Sequence, residues 1–213
     1  MRISVLGATG MAGSAIVGEA LDRGHAVTAV SRTASTTAQE ERLRHVAVDL
    51  TGAGEIHPLL AACDAAVLTV RFAPDEHQQL APVTRRVLEA AAHTGTRVLV
   101  VGGSAPLSSP SDPERPLIDD PEYVPAQWRS IAQASLDQFH ECRRHTAADW
   151  VYLSPPAVFE PGARTGSYRR GTNQLVTSAD GTSRITPGDL ALAVLDELEN
   201  PGPDRHFTVA QAG

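Results

Sequence analysis

The residues best placed to do chemistry come early. Gly7-Ala8-Thr9-Gly10-Met11-Ala12-Gly13 carries glycines at 7, 10 and 13 and follows directly on an apolar run, Ile3–Leu6. Such spacing suits a tight strand-to-helix turn. The first Gly permits the turn, the second lets backbone approach a pyrophosphate, and the third lets helix pack close to strand. Free N–H groups of Met11 and Ala12 at the helix start would then bind the anion, and the Thr9 hydroxyl adds a donor. A second checkpoint is the end of the next strand, where an acid favours NAD and an arginine suits the 2′-phosphate of NADP. Ser31-Arg32 stands there, and no acid appears before Glu40. A guanidinium binds phosphate bidentately, so NADP(H) is expected over NAD(H).

What is missing narrows the chemistry further. All 18 basic residues are Arg, and the chain has no Lys. Schiff-base catalysis, the GxxxxGK[ST] phosphate loop and Ser-x-x-Lys acyl enzymes are therefore excluded. The Tyr-x-x-x-Lys pair of conventional short-chain dehydrogenases is excluded too, and Gln127 stands four residues after Tyr123. Gly102-Gly103-Ser104-Ala105-Pro106 comes near a GxSxG elbow but lacks its last Gly, and no His/Asp order supports a triad. The eight His are scattered and read as surface residues; His140 and His145, five apart, share no helix face, so no metal site is expected. A net charge of −7 argues against nucleic acid and anionic membrane as partners. Two isolated cysteines, Cys63 and Cys142, point to a reducing compartment. A Gly already at residue 7 leaves no room for a signal peptide, and the longest apolar run, near Ala65–Val70, is too short to span a bilayer. A cytoplasmic location is the simplest expectation.

These groups must be held by alternating strands and helices. Strands are expected at Ile3–Leu6, Ala26–Val30, Val46–Asp49, Ala65–Val70, Val98–Val101 and Trp150–Leu153, with a last one at Phe207–Val209. Helices are expected over Met11–Arg23, near Ala38–Arg44 and Ile56–Ala62, and over Gln79–Thr94, Ala126–His145 and Pro187–Glu199. Continuous apolar strands alternating with helices mean a Rossmann-like, doubly wound parallel sheet covered on both faces, here as one α/β domain over 1–213 with a small C-terminal extension on the substrate side. Pro106–Pro125 holds six prolines and cannot be a regular element. It follows a strand, so it is expected to border the substrate site as a lid.

With these motifs in place, the chain resembles the atypical short-chain dehydrogenase/reductase proteins of the NmrA-like, NAD(P)H-binding group. It is most similar to bacterial NADH-flavin reductases related to the B-type biliverdin reductases. The resemblance covers essentially the whole chain. It rests on Gly7-Ala8-Thr9-Gly10 with Gly13, Ser31-Arg32, Val48-Asp49-Leu50, Val101-Gly102-Gly103-Ser104-Ala105, Asp149-Trp150, Ser154-Pro155-Pro156, Phe159-Glu160-Pro161-Gly162, Arg164-Thr165-Gly166-Ser167-Tyr168 and Ser183-Arg184-Ile185. It implies that Asp49 and Leu50 lie near the adenine and that Thr69, Val70 and Arg71 lie beside the inner ribose. It further implies that Ser104 lies near the nicotinamide and that Pro155-Pro156 lie against its ring. Where the biliverdin reductases carry a His after the Pro pair, this chain has Ala157.

Flavin reduction needs little acid–base help, because the cofactor supplies the hydride and the protein aligns the partners. Ser104 is the expected catalytic residue, as a hydrogen-bond partner of nicotinamide or substrate. Arg164, Tyr168 and Arg169, in a Gly-rich segment, either border the pocket or belong to a structural turn. The expected activity is NADP(H)-dependent hydride transfer to a flavin, quinone or other planar conjugated acceptor, with flavin as substrate. The protein would be a monomer or homodimer whose partner is that small-molecule acceptor. Two alternatives stay open: a non-catalytic NADP(H) sensor, and an atypical reaction on a polyketide-like biosynthetic intermediate.

Overall fold

A computed structural model describes residues 1–33, 41–52 and 55–212. Its strands are β1 (Arg2–Leu6), β2 (Ala26–Ser31), β3 (Leu43–Ala47), β4 (Ala65–Leu68), β5 (Arg97–Val101), β6 (Trp150–Ser154), β7 (Val158–Phe159), β8 (Tyr168–Gly171), β9 (Arg184–Ile185) and β10 (His206–Gln211). The helices are α1 (Met11–Asp22), α2 (His57–Ala61), α3 (Leu80–Thr94), α4 (Arg129–Arg144) and α5 (Pro187–Glu199). Eight strands form one sheet in the order β3-β2-β1-β4-β5-β6-β10-β8, parallel throughout except for the β10–β8 pair. This is a Rossmann-like α/β fold. The order reverses between β1 and β4, where such sheets open a crevice at the carboxyl ends of their strands.

Alternation along the strands sends side chains to two cores. Val5, Leu99 and Val101 join Ile16 of α1 and Leu190 and Val194 of α5 on one face. Leu6, Val98 and Val100 join Leu60 of α2 and Val83 and Val87 of α3 on the other. Strands buried on both sides have no solvent face to show, which is why β4 reads as an unbroken apolar run, Ala65–Leu68.

Two expectations need correction. The helix near Ala38–Arg44 is not formed at its C-terminal end, because residues 43–44 begin β3; its residues 38–40 lie outside the described residues. The third strand accordingly runs over Leu43–Ala47 instead of Val46–Asp49. β3 is the edge strand, exposed or half-buried at every position, so its sequence carries no apolar run to mark it. The Gly-rich stretch after β6 also conceals three short strands. β7 and β9 pair in a small separate sheet, and β8 caps the main sheet beside β10.

The Pro-rich segment is irregular apart from a single 3-10 turn, Leu117–Asp119, and it is tied to the rest of the fold. Leu107, Leu117 and Val124 form a small third core with Leu175. Ser109 Oγ donates to Asp120 Oδ2 at 2.6 Å, and Ser108 N–H donates to the Asn173 carbonyl at 2.8 Å. Gln174 Nε2 donates to the Ser109 carbonyl at 3.1 Å. A segment with its own core and cross-links of this kind is a wall of the molecule.

Candidate functional site

The carboxyl ends of β1, β2, β4, β5 and β6 converge on one cleft of about 630 Å³. Of the residues the sequence assigns to cofactor or catalysis, all but Gly13 line it. They are Gly7, Thr9, Gly10, Met11 and Ala12 after β1, Ser31 and Arg32 at the end of β2, and Asp49 and Leu50 after β3. Thr69, Val70 and Arg71 follow β4, Gly102, Gly103 and Ser104 follow β5, and Pro155 and Pro156 follow β6. Gly13 sits behind the turn. A Cβ there would stand 2.1 Å from the Gly7 carbonyl oxygen, so its role is to let α1 press on the loop. Gly7 has φ +99°, and a Cβ on it would come within 2.6 Å of the Thr69 carbonyl oxygen. The loop after β1 and the loop after β4 therefore meet with no space for a side chain.

The first loop is tied to the sheet. Gly7 and Ala8 N–H both donate to the Val30 carbonyl, at 2.9 and 3.0 Å. Gly10 N–H turns back to the Gly7 carbonyl at 3.1 Å. The N–H groups of Thr9, Met11 and Ala12 have no hydrogen-bond partner among the described residues, and α1 has no acid in its first turn. Free donors at a helix N-terminus with no nearby carboxylate suit a pyrophosphate. This cradle and the volume of the cleft, about 630 Å³, fit a dinucleotide.

At the β2 end of the cleft the exposed Arg32 lies in the field of Asp49. The Thr51 hydroxyl and N–H donate to Asp49 Oδ1 at 2.7 and 2.9 Å; these bonds, with a small contribution from Arg32, hold the carboxyl below the usual range. The Arg86 guanidinium donates to the Leu50 carbonyl and fixes the loop from α3. Arg71, exposed on the cleft after β4, makes no hydrogen bond or ion pair among the described residues.

A buried polar chain holds the loop after β5. Gly103 N–H donates to the Tyr152 hydroxyl at 3.3 Å, and that hydroxyl donates to the Ser135 carbonyl at 3.0 Å. Gln138 Nε2 donates to Thr84 Oγ at 3.0 Å, and Gln138 Oε1 lies 3.3 Å from the same phenol. Full burial pushes the Tyr152 phenol far above its ordinary pKa, so it stays a neutral strut. A Cβ on Gly102 would overlap the Tyr152 ring, so this glycine answers to packing beneath the loop. The Ser104 hydroxyl, half-buried on the cleft, has no partner among the described residues.

Four aromatic side chains, Phe72, Tyr123, Trp128 and Phe159, also line the cleft, in a chain with only four Phe, three Tyr and two Trp. Trp128 is 55% exposed, a large apolar surface left open at the mouth. Burial and the charges of Glu122 and Asp120 raise the pKa of Tyr123, the opposite of what a catalytic phenol needs.

Sequence reasoning misses His77, which lies half-buried on the cleft instead of on open surface. It sits on a short 3-10 helix, Pro74–Gln79, between two polar stretches, and no periodicity marks it. His25 is buried as well, with Nε2 2.7 Å from Glu199 Oε1. Arg164, Tyr168 and Arg169 stand away from the cleft. Arg164 pairs with Glu19 at 2.8 Å, the Tyr168 hydroxyl donates to Asp196 at 2.8 Å, and Arg169 donates to the Thr177 carbonyl at 2.9 Å. Among the described residues no group of His, Cys, Asp and Glu could hold a metal. No helix among them is long and apolar enough to cross a membrane.

Comparison with known proteins agrees with this geometry. Residues 7–201 match the model of a family described as NAD(P)H-binding. An uncharacterized Bacillus subtilis protein, YwnB, is 37% identical over 98% of each chain. A Streptococcus pneumoniae structure described as a candidate NADH-flavin reductase covers 100% of both chains at 29% identity with a TM-score of 0.89. A Bacteroides thetaiotaomicron structure described as a candidate epimerase is 31% identical over 100% of this chain and 97% of its own, with a TM-score of 0.88. With its Gly cradle, switch-point cleft and near full-length match, the chain belongs to the NAD(P)H-binding family.

Proposed function

We propose that this protein is an NADP(H)-dependent reductase that passes hydride to a flavin, quinone or other planar conjugated acceptor. The observation that carries the reading is the make-up of the cleft: a dinucleotide cradle on the loop after β1, and a lining that also includes Phe72, Tyr123, Trp128 and Phe159. Flat aromatic ligands gain most from such walls, through stacking and apolar burial. The candidate flavin reductase of Streptococcus pneumoniae supports the same class.

The roles follow from position. Thr9, Met11 and Ala12 N–H groups bind the pyrophosphate, with Gly7, Gly10 and Gly13 keeping the approach clear. Ser31 and Arg32 take the 2′-phosphate, and Asp49 and Leu50 border the adenine. Thr69, Val70 and Arg71 border the inner ribose. Gly102, Gly103, Pro155 and Pro156 frame the nicotinamide, which when bound supplies the hydride. Ser104, with a free hydroxyl on a loop braced by Tyr152, orients the carboxamide or the acceptor. The Pro-rich wall contributes Tyr123 and Val124 to the acceptor side. No Lys-activated acid is needed, because alignment alone contributes a large share of the rate.

NADPH oxidation assayed with FMN, riboflavin and quinones tests the reading. Turnover with at least one is expected. Tight NADPH binding without turnover on any of them would return the chain to a sensing role.

A further inference from the structure

His77 belongs to two cavities at once. It lines the cleft, and it also lines a smaller pocket of about 270 Å³ with Gln78, Ser130, Gln133 and Asp137. Among the described residues, His77 and Ala134 alone are common to both, so they stand where the two cavities adjoin. The Nδ1 atom of His77 is buried and has no hydrogen-bond partner among the described residues. A buried polar atom without a partner is costly, and here it belongs to a ring that borders both the cleft and a second cavity.

Hydride transfer to a quinone or conjugated carbonyl leaves a basic oxyanion on the acceptor, so one proton must follow. A cofactor and a flat acceptor together displace water from the cleft, and the proton then needs another route. We infer that His77 relays this proton from water in the side pocket to the acceptor in the cleft. The inference rests on the reductase reading. In balance, the acceptor takes hydride from the reduced nicotinamide, the imidazolium N–H of His77 donates a proton to the anion so formed, and the neutral imidazole is reprotonated by water in the side pocket. Bulk solvent neutralises the hydroxide left behind, so that one solvent proton is consumed overall.

The other ionisable groups on the cleft serve poorly. Hydrogen bonds from Thr51 keep Asp49 ionised, burial and nearby acids keep Tyr123 protonated, and Arg32 and Arg71 do not release protons. His is the side chain that exchanges a proton near neutrality. Around His77 stand Asp75 and Glu76 on its own 3-10 helix, Arg71 just before it, and Asp137 on α4, which accepts from Gln133 Nε2 at 2.9 Å. Tyr123 is on the same cleft, and α3 contributes the uncharged Leu80 and Ala81.

The test compares the native protein with His77→Gln, which keeps a polar side chain of similar reach. FMN binding, followed by flavin fluorescence, and the melting temperature are expected to change little. Under saturating NADPH, kcat with a quinone acceptor is expected to fall by about 10²-fold, with a changed pH profile and partial rescue by free imidazole. A variant with native kcat and pH profile overturns the relay. A variant whose loss of turnover is matched by loss of FMN binding overturns it too, and assigns His77 to binding. A native protein that turns over no acceptor overturns the reductase reading itself, and the relay with it.

Discussion

A Cβ placed on Gly13 would stand 2.1 Å from the Gly7 carbonyl oxygen and 2.9 Å from the Ala8 Cα. The obstacle is backbone, which cannot rotate aside. The first turn of α1 and the loop after β1 are in contact because residue 13 has no side chain, and that contact aims the free N–H groups of Met11 and Ala12. Gly13→Ala must push the helix off the loop. Overpacking of this kind costs about 1–3 kcal/mol. The melting temperature should fall by roughly 3–10 °C for a chain of this size, and NADPH affinity should fall with it. A variant with native melting and native affinity would show that α1 shifts without consequence.

Arg32→Ala separates the two cofactors. Hydrogen bonds to a charged group are worth about 1.5–3 kcal/mol, so NADPH should bind about 10- to 100-fold more weakly while NADH changes little. Removing Arg32 also leaves the Asp49 carboxylate without its nearest positive field, which further disfavours a phosphate there. Equal losses for both cofactors in calorimetric titration would refute the assignment of the 2′-phosphate site.

Trp128→Ala tests the acceptor end. The side chain is 55% exposed and carries no hydrogen bond among the described residues, so stability should change by less than about 0.5 kcal/mol. Loss of an aromatic platform should raise the acceptor KM roughly 5- to 10-fold through about 1 kcal/mol of stacking. NADPH affinity, measured in the same preparation, should stay native.

Ser104→Ala should leave the melting temperature within a degree or two, since the hydroxyl has no partner among the described residues to lose. If Ser104 holds the reacting groups in register, kcat should drop about tenfold or more. Native kcat with every acceptor would reduce Ser104 to a turn residue.

Acid sensitivity has a named source in His206. Burial, aided by the charge of Arg143, lowers its pKa to about 4, and its Nε2 lies 2.9 Å from Ser154 Oγ. Above the unfolded pKa of about 6.5, folded and unfolded states both hold the ring neutral and His206 contributes no pH dependence. As pH falls from there toward 4, the unfolded chain takes up a proton that the folded one refuses, so stability declines across that window. The loss is on the order of 2–3 kcal/mol at its end. His206→Gln should flatten denaturation midpoints between about pH 6.5 and 4, relative to the native chain. Carboxylates held low, such as Asp189 with its bonds from Gly166 and Thr165, add their own decline only at lower pH.

The sequence alone determined the parts of this protein whose physics is local. Glycines at 7, 10 and 13 after an apolar strand, Arg32 at the next strand end and apolar periodicity along α3 need no knowledge of distant neighbours. They locate the glycine-loop end of the cleft and the alternation of the sheet. The absence of Lys removed whole mechanisms by composition. Tertiary structure decided what depends on partners far along the chain. β3 is a strand because Leu43–Ala47 pairs with β2, although its own pattern is polar. Gly102 answers to the Tyr152 ring, 50 residues away in sequence. The Pro-rich segment is a wall because Ser109 meets Asp120 and Ser108 meets Asn173. His77 stands between two cavities only because α4 closes over the start of α3. Backbone turns and burial periodicity are written over a few residues, whereas the surroundings of a side chain are assembled from segments that meet only in the fold.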